Sequence, residues 1–197
     1  MAAAKGTPSS VSAQSTPILL PPESGGHLVY CTPFNRVIAL DPETGRERWV
    51  YDPKVRRTSE RPYRCRGVAY AQVPQDGEQG ACRHRIYTVT GDRRLIAIDA
   101  RDGQPCAGFG GRGGVTLAEH ERYGVDEVGT SSPPLVANGV IVVGSSVIDF
   151  AFAEAPRGVV AAYDAATGAP RWTFDPLQGA TGTGAANAWA PMAVDAE

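Results

Sequence analysis

Four short stretches of this chain carry residue types able to contact carboxylates, a hard cation or an aromatic ring face. Arg66, in Cys65-Arg66-Gly67-Val68-Ala69-Tyr70, supplies a forked guanidinium suited to a pair of carboxylate oxygens. Ser131, in Thr130-Ser131-Ser132-Pro133-Pro134, and Ser146, in Gly144-Ser145-Ser146-Val147-Ile148-Asp149, supply hydroxyls. Asp149 adds a carboxylate, the hard oxygen donor that Ca²⁺ or Mg²⁺ takes. Trp189, in Asn187-Ala188-Trp189-Ala190-Pro191, offers an indole face for stacking. Each residue type also has a plainer use. A strand Arg can be structural, an Asp can cap a loop, a Ser can be solvated and a Trp can pack a sheet. One carboxylate does not make a metal site.

The elements that must position these residues are written in a repeated phrase. It reads Ala39-Leu-Asp41-Pro-Glu-Thr-Gly45-Arg-Glu-Arg-Trp49, then Ala97-Ile-Asp99-Ala-Arg-Asp-Gly103, then Ala162-Tyr-Asp164-Ala-Ala-Thr-Gly168-Ala-Pro-Arg-Trp172. Each copy is an apolar β-type run followed by Asp-x-x-x-Gly, the chemistry of a tight turn: Asp caps backbone N–H groups and Gly accepts a positive φ. The steps from Asp41 to Asp99 and from Asp99 to Asp164 are longer than common blade repeats, as expected of four-stranded blades with long loops.

Short strands are expected at His27 to Cys31, Arg36 to Leu40 and Glu47 to Tyr51. Tyr63 to Ala71 is a further apolar run, and Arg85 to Thr90 with Arg94 to Ile98 forms a hairpin across Gly91-Asp92. Pro134 to Val136, Val140 to Val143, Val159 to Tyr163 and Arg171 to Phe174 make another set, after a Gly-rich stretch from Gly108 to Gly129. No segment has helical periodicity.

The 197 residues suffice for one domain with a core, and 23 Gly with 16 Pro lacking a collagen-like period indicate many turns. A formal charge of −2 provides no basic face for nucleic acid. No apolar run has the length of a membrane span, and residues 1–22 lack the pattern of a secretory signal. Residues 1–13 are expected to be a disordered or non-native segment, with residues 14–197 forming the domain. Both ends read as cuts through a longer repeat array, because strand-like sequence begins abruptly at Thr16-Pro-Ile-Leu-Leu and a new strand pattern opens near Trp189.

Ala-x-Asp-x-x-Thr-Gly-x-x-x-Trp resembles the tryptophan-docking motif of quinoprotein dehydrogenases, eight-bladed propellers that bind pyrroloquinoline quinone (PQQ). The stretches around Arg66, Ser131, Asp149 and Trp189 come in the order of the membrane-bound glucose/quinate/shikimate branch, and the similarity runs from about Gln14 to the end. The resemblance implies an all-β partial propeller of about two and a half to three blades, which needs further blades for closure.

It also implies that Arg66, Ser131, Ser146 and Trp189 contact PQQ and that Asp149 ligates Ca²⁺ or Mg²⁺. Gln14 stands where many relatives have Glu near the cofactor. The family's proton-accepting carboxylate matches no position here, so no catalytic residue is assigned. Implied partners are a sugar or polyol substrate and ubiquinone as electron acceptor, at the periplasmic face of the inner membrane. Ala71 and Phe150 depart from the glucose-type pattern, where His or an aromatic and Asn are usual. The alternative is a non-catalytic propeller scaffold of the outer-membrane assembly lipoprotein type, which shares the repeat phrase but does not require Arg66, Asp149 and Trp189 in order.

The remaining motifs read as structural. Gly108-x-Gly110-x-x-Gly113 has no strand leading into it and no helix after it, so it reads as an inter-blade loop. His27, His84 and His120 are dispersed and read as surface residues. The four cysteines form no Cys-x-x-Cys pair and no vicinal Cys-Cys, and their even number permits disulfides of undetermined connectivity.

Overall fold

The computed structural model describes residues 12–55, 64–74, 80–117, 128–147 and 155–195. The first sheet is β1 (Ile18–Leu19), β2 (Leu28–Cys31), β3 (Val37–Leu40) and β4 (Glu47–Tyr51), hydrogen-bonded in chain order. The second is β5 (Ala69–Gln72), β6 (His84–Val89), β7 (Arg94–Asp99) and β8 (Gly114–Thr116), again in chain order. Short strand β9 (Val128–Gly129) pairs with β12 (Ser146–Val147), while β10 (Leu135–Ala137), β11 (Val140–Val143), β13 (Val160–Asp164) and β14 (Pro170–Phe174) make the third four-stranded sheet. All these pairings are antiparallel. The expected Gly-rich loop thus contains β8 and leads to β9, both too short to show an alternation in sequence.

Register makes the three sheets copies of one unit. Ile18, Val29, Ala39 and Trp49 face each other across the first sheet. Leu135, Val142, Ala162 and Trp172 do the same across the third. Successive side chains on a strand point to opposite faces, so each sheet offers two apolar faces to its neighbours. Val29, Val37, Ala39 and Trp49 of the first sheet form one buried cluster with Ile86, Ile96, Ile98 and Ala100 of the second. Tyr87, Leu95, Ala97 and Phe109 of the second form another with Ile141, Ala161, Tyr163 and Ala165 of the third.

The Asp-Gly turns fold as their residues dictate. The Asp41 carboxylate accepts from the N–H groups of Glu43 and Thr44 and from the Thr44 hydroxyl, and Gly45, at φ 69°, closes the turn on the Asp41 carbonyl. Asp164 repeats this with Ala166, Thr167 and Gly168. Thr44 and Arg48 hold the Asp41 carboxyl at about 2. At Asp164 burial opposes the same effect, yet Arg171 and Thr167 still bring it down to about 2.

At both junctions between the described sheets an aromatic ring docks on the next sheet's turn. Trp49, only 9% exposed, lies over Gly103. The second copy has no Trp after its glycine; there Phe109, fully buried, packs over Gly168. The Gly108 to Gly113 stretch is therefore a docking loop, its Gly110 N–H donating to the Thr167 carbonyl, and it runs into strand β8 rather than a helix. Trp172 matches Trp49 in register, but its ring is 48% exposed because no described sheet lies beyond the third.

The hairpin after β6 forms across Gly91-Asp92 as expected, with Arg93 as its left-handed residue, matching Asn35 in the first sheet's turn. The buried Asn35 accepts from Gly91 N–H, so that turn serves contact between sheets. His84 is buried on central strand β6, with its Nδ1 2.7 Å from the Tyr70 hydroxyl, rather than on the surface. His120 lies outside the described residues.

Candidate cofactor site

Antiparallel order sends the Asp-Gly turns to one end of the sheets and the segments bearing Gln14, Arg66, Ser131, Ser146 and Trp189 to the other. Disulfide Cys31–Cys65 ties the residue before Arg66 to the end of β2, with a Cα separation of 6.0 Å. The Arg66 carbonyl accepts from Thr16 N–H, and the Cys31 N–H donates to Ser15 Oγ. Gly67 lets the Ser131 segment approach: a Cβ there would lie 3.2 Å from Pro133 Cγ. Neither disulfide partner was apparent from spacing.

Trp189 is brought in by a strap of chain. Ala188 N–H donates to the Ser145 carbonyl, and Asn187 Oδ1 accepts from Val147 N–H, so residues 187–189 run beside the strand that holds Ser146. Gly144 is obligatory for this path, because a Cβ there would fall 2.1 Å from the Ala188 carbonyl oxygen.

Three predicted residues meet as a result. Arg66 Cζ sits 5.1 Å from the centroid of the Trp189 ring, within cation–π range. Ser131 Oγ donates to the Trp189 carbonyl at 3.4 Å. Arg66 Nη1 is buried and has no hydrogen-bond partner among the described residues. Desolvation, with the neighbouring Arg64 charge, pulls the Arg66 pKa below its usual value, as happens when a cation lacks a counter-charge. An enclosed, unpartnered guanidinium nitrogen disfavours the site until an anion arrives. The indole remains 48% exposed.

Ser146 is half-buried and pairs with Gly129, one residue from both strap contacts. Gln14 is exposed, two residues before Thr16. Asp149 and Phe150 lie outside the described residues. Ala71 is partly buried against the core between the second and third sheets. Among the described residues, no group of three or more His, Cys, Asp or Glu could hold a metal ion.

Residues 1–197 match the family described as "PQQ: Glucose/ethanol/alcohol dehydrogenase, beta-propeller domain". This chain belongs to the PQQ-dependent dehydrogenase propeller family. The match supports the dehydrogenase reading over the scaffold.

The chain is 37% identical over 188 residues to the quinate/shikimate dehydrogenase (quinone) of Acinetobacter baylyi, covering 87% of this chain and 22% of that protein. It is 32% identical over 209 residues to quinoprotein glucose dehydrogenase A of Acinetobacter calcoaceticus, covering 94% and 26%. A solved quinohemoprotein alcohol dehydrogenase from Pseudomonas putida superposes with a TM-score of 0.59 at 32% identity, covering 84% of this chain and 20% of that one. The chain thus spans about a quarter of the length of these relatives.

The site passes a chemical test for the family cofactor. PQQ is a flat tricarboxylate, and the chain presents an unpartnered buried guanidinium nitrogen, an accessible indole and a nearby hydroxyl. Sequence reasoning singled out these three residues as candidates; it missed the Cys31–Cys65 bond and the Gly144 and Pro133 contacts that bring them together.

Proposed function

We propose that this chain forms part of the cofactor wall of a PQQ-dependent dehydrogenase that oxidises a sugar or polyol of the glucose type and passes electrons to ubiquinone. The observation that carries the reading is the convergence of Arg66 and Ser131, residues far apart in sequence, on Trp189, with one buried guanidinium nitrogen of Arg66 unpartnered among the described residues.

Bound PQQ would supply the two-electron oxidant for the alcohol carbon. Arg66 holds a carboxylate of the cofactor by charge-assisted hydrogen bonds. Trp189 offers the ring face that keeps the cofactor flat and excludes water from that side. Ser131 and Ser146 orient its polar edge, Gln14 lies at the rim, and Asp149 contributes to a Ca²⁺ or Mg²⁺ site. The proton acceptor is none of these residues.

Two disulfides, Cys31–Cys65 and Cys82–Cys106, support an oxidising compartment, consistent with the periplasmic face of the inner membrane. No helix among the described residues is long and apolar enough to cross a membrane. The glucose and quinate/shikimate relatives support a polyhydroxylated substrate.

The test is a titration of the protein with PQQ in the presence of Ca²⁺ or Mg²⁺, followed by tryptophan fluorescence and cofactor absorbance. Arg66→Ala and Trp189→Ala should each weaken binding about tenfold or more, the scale of a lost charge-assisted or stacking contact. Unchanged affinity in both variants defeats the reading. With the longer protein, glucose, quinate and glycerol as donors and a ubiquinone analogue as acceptor separate the substrate assignments.

A further inference from the structure

Three consecutive residues grip the strap that carries Trp189. The Pro156 carbonyl accepts from Ala185 N–H at 2.8 Å. The half-buried Arg157 closes its guanidinium on the loop after β14, with Nε donating to the Asp175 carboxylate, Nη1 to the Ala180 carbonyl at 3.0 Å and Nη2 to the Leu177 carbonyl. Gly158 lets the strap pass, since a Cβ there would overlap the Ala186 carbonyl oxygen, as a Cβ on Gly184 would overlap the Ala155 carbonyl oxygen. These residues are fixed in turn to the strand that holds Ser146. Ser145 Oγ donates to the Val159 carbonyl at 2.9 Å, and the Ser145 carbonyl takes the Ala188 N–H at 3.1 Å.

The strap depends on such anchors. Residues 175–189 belong to no strand, so no ladder of backbone bonds sets their path. Ala185 lies at φ 59°, a left-handed conformation that an alanine keeps only where its surroundings over-determine it. The loop that begins the strap is closed on itself: Leu177 N–H donates to the Asp175 carboxylate and Ala180 N–H to the Leu177 carbonyl, each at 2.9 Å. Arg157 thus holds a preformed loop at three acceptors, and a planar fork bonded through all three of its nitrogens leaves that loop little freedom to turn. The guanidinium also keeps the Asp175 carboxyl below the ordinary carboxylate range.

We propose that Arg157, paired with Asp175, is a positioning residue for Trp189, fixing the strap so that the indole is set beside Arg66 before any ligand arrives. The ring is 48% exposed, so packing around it does not hold it and its place is inherited from the strap. A wall ordered in advance spares the ligand the cost of ordering it on binding. That consequence for the cofactor rests on the PQQ reading, whereas the ordering of Trp189 does not.

Trp189 is isolated as a probe by Trp49→Phe with Trp172→Phe, since the chain has three Trp. In that background Arg157→Ala and Asp175→Asn should lower the fluorescence anisotropy of Trp189 and raise its quenching by acrylamide, with no ligand present. Arg157→Lys keeps the charge beside Asp175 but cannot fork to both carbonyls, so it should fall between the wild type and Arg157→Ala. Arg171→Ala breaks a similar ion pair, to Asp164 at the opposite end of the sheets, and should leave the Trp189 signals unchanged. In the PQQ titration, Arg157→Ala should weaken binding about tenfold, the scale of ordering one side chain on binding.

Far-UV circular dichroism establishes that each variant is folded, and Asp175→Asn, which removes one charge and keeps the side-chain shape, carries the test if Arg157→Ala is not. Folded variants in which the anisotropy and quenching of Trp189 match the wild type overturn the proposal. So does PQQ binding that is weakened by Arg66→Ala yet unaffected by Arg157→Ala, an outcome that leaves the PQQ reading standing. Altered Trp189 signals in a protein that takes up no PQQ support the positioning role and defeat the PQQ reading instead.

Discussion

Trp49 covers Gly103 so closely that a Cβ on the glycine would lie 2.6 Å from Trp49 Cε3. The glycine is required twice, once by its φ of 74° and once by the ring above it. Gly45 shares the backbone requirement, at φ 69°, without the ring. In dilute protein, Gly45→Ala should cost about 1 kcal/mol, the strain of a left-handed Ala. Gly103→Ala should cost roughly 1–3 kcal/mol more, because overpacking is added. Denaturant melts of the two variants give the comparison, and equal losses would refute the docking contact.

Phe109 performs at the second junction what Trp49 performs at the first. Phe109→Ala should lose about 3–5 kcal/mol, the usual cost of removing a fully buried aromatic. Trp172→Ala, measured under monomeric conditions, should lose less than about 1 kcal/mol, since half of its surface is already in water. Equilibrium unfolding in urea distinguishes them.

Tyr87 donates its hydroxyl to the Ala165 carbonyl at 2.6 Å across the second junction, and burial pushes its pKa up to about 12. Tyr87→Phe should cost about 1 kcal/mol, the net value of one such bond. The Arg85 guanidinium also donates to that carbonyl, so the oxygen is not orphaned and the loss should stay below the cost of a buried unpaired group. A loss of several kcal/mol in the same melt would show that the hydroxyl has a larger role.

Disulfide Cys31–Cys65 closes a span of 34 residues immediately before Arg66. Loop-closure entropy predicts that Cys31→Ser with Cys65→Ser lowers stability by about 3–4 kcal/mol. The same change should loosen Arg66 over Trp189, observed as an altered Trp189 emission relative to a Trp49→Phe, Trp172→Phe background. An unaltered emission would show that the bond does not position the guanidinium.

Acid should release the turns in a defined window. The carboxyls of Asp41 and Asp164 are held at about 2 in the fold, below the ordinary 3.8. A depressed carboxyl pKa means that the unfolded chain binds the proton more readily, so the stabilisation is complete above about pH 4 and disappears as pH falls toward about 2. Asp41→Asn should flatten the dependence of thermal midpoint on pH within that window while leaving its slope above pH 5 unchanged. An unchanged slope between pH 2 and 4 would count against the turn's electrostatic contribution.

Strand type, turn positions and the repeat were legible in sequence because they depend on short-range chemistry: alternating apolar residues, an Asp that caps and a Gly that accepts positive φ. The repeat phrase also revealed the ring docking at Trp49, but not that Phe109 substitutes at the second junction, since no local rule relates a residue two places beyond the expected position to Gly168. His84 was misread for a similar reason. Three dispersed histidines look alike in sequence, and only the sheets packed around β6 bury one of them.

For the candidate site, residue types and motif order singled out Arg66, Ser131 and Trp189, while their proximity was decided by the tertiary structure. Local sequence specifies how a segment pairs with its neighbour a few residues away. It does not specify which distant segments cross, because that depends on the Cys31–Cys65 bond, on the small residues at Gly67 and Gly144 that permit close approach, and on the packing of three sheets against one another.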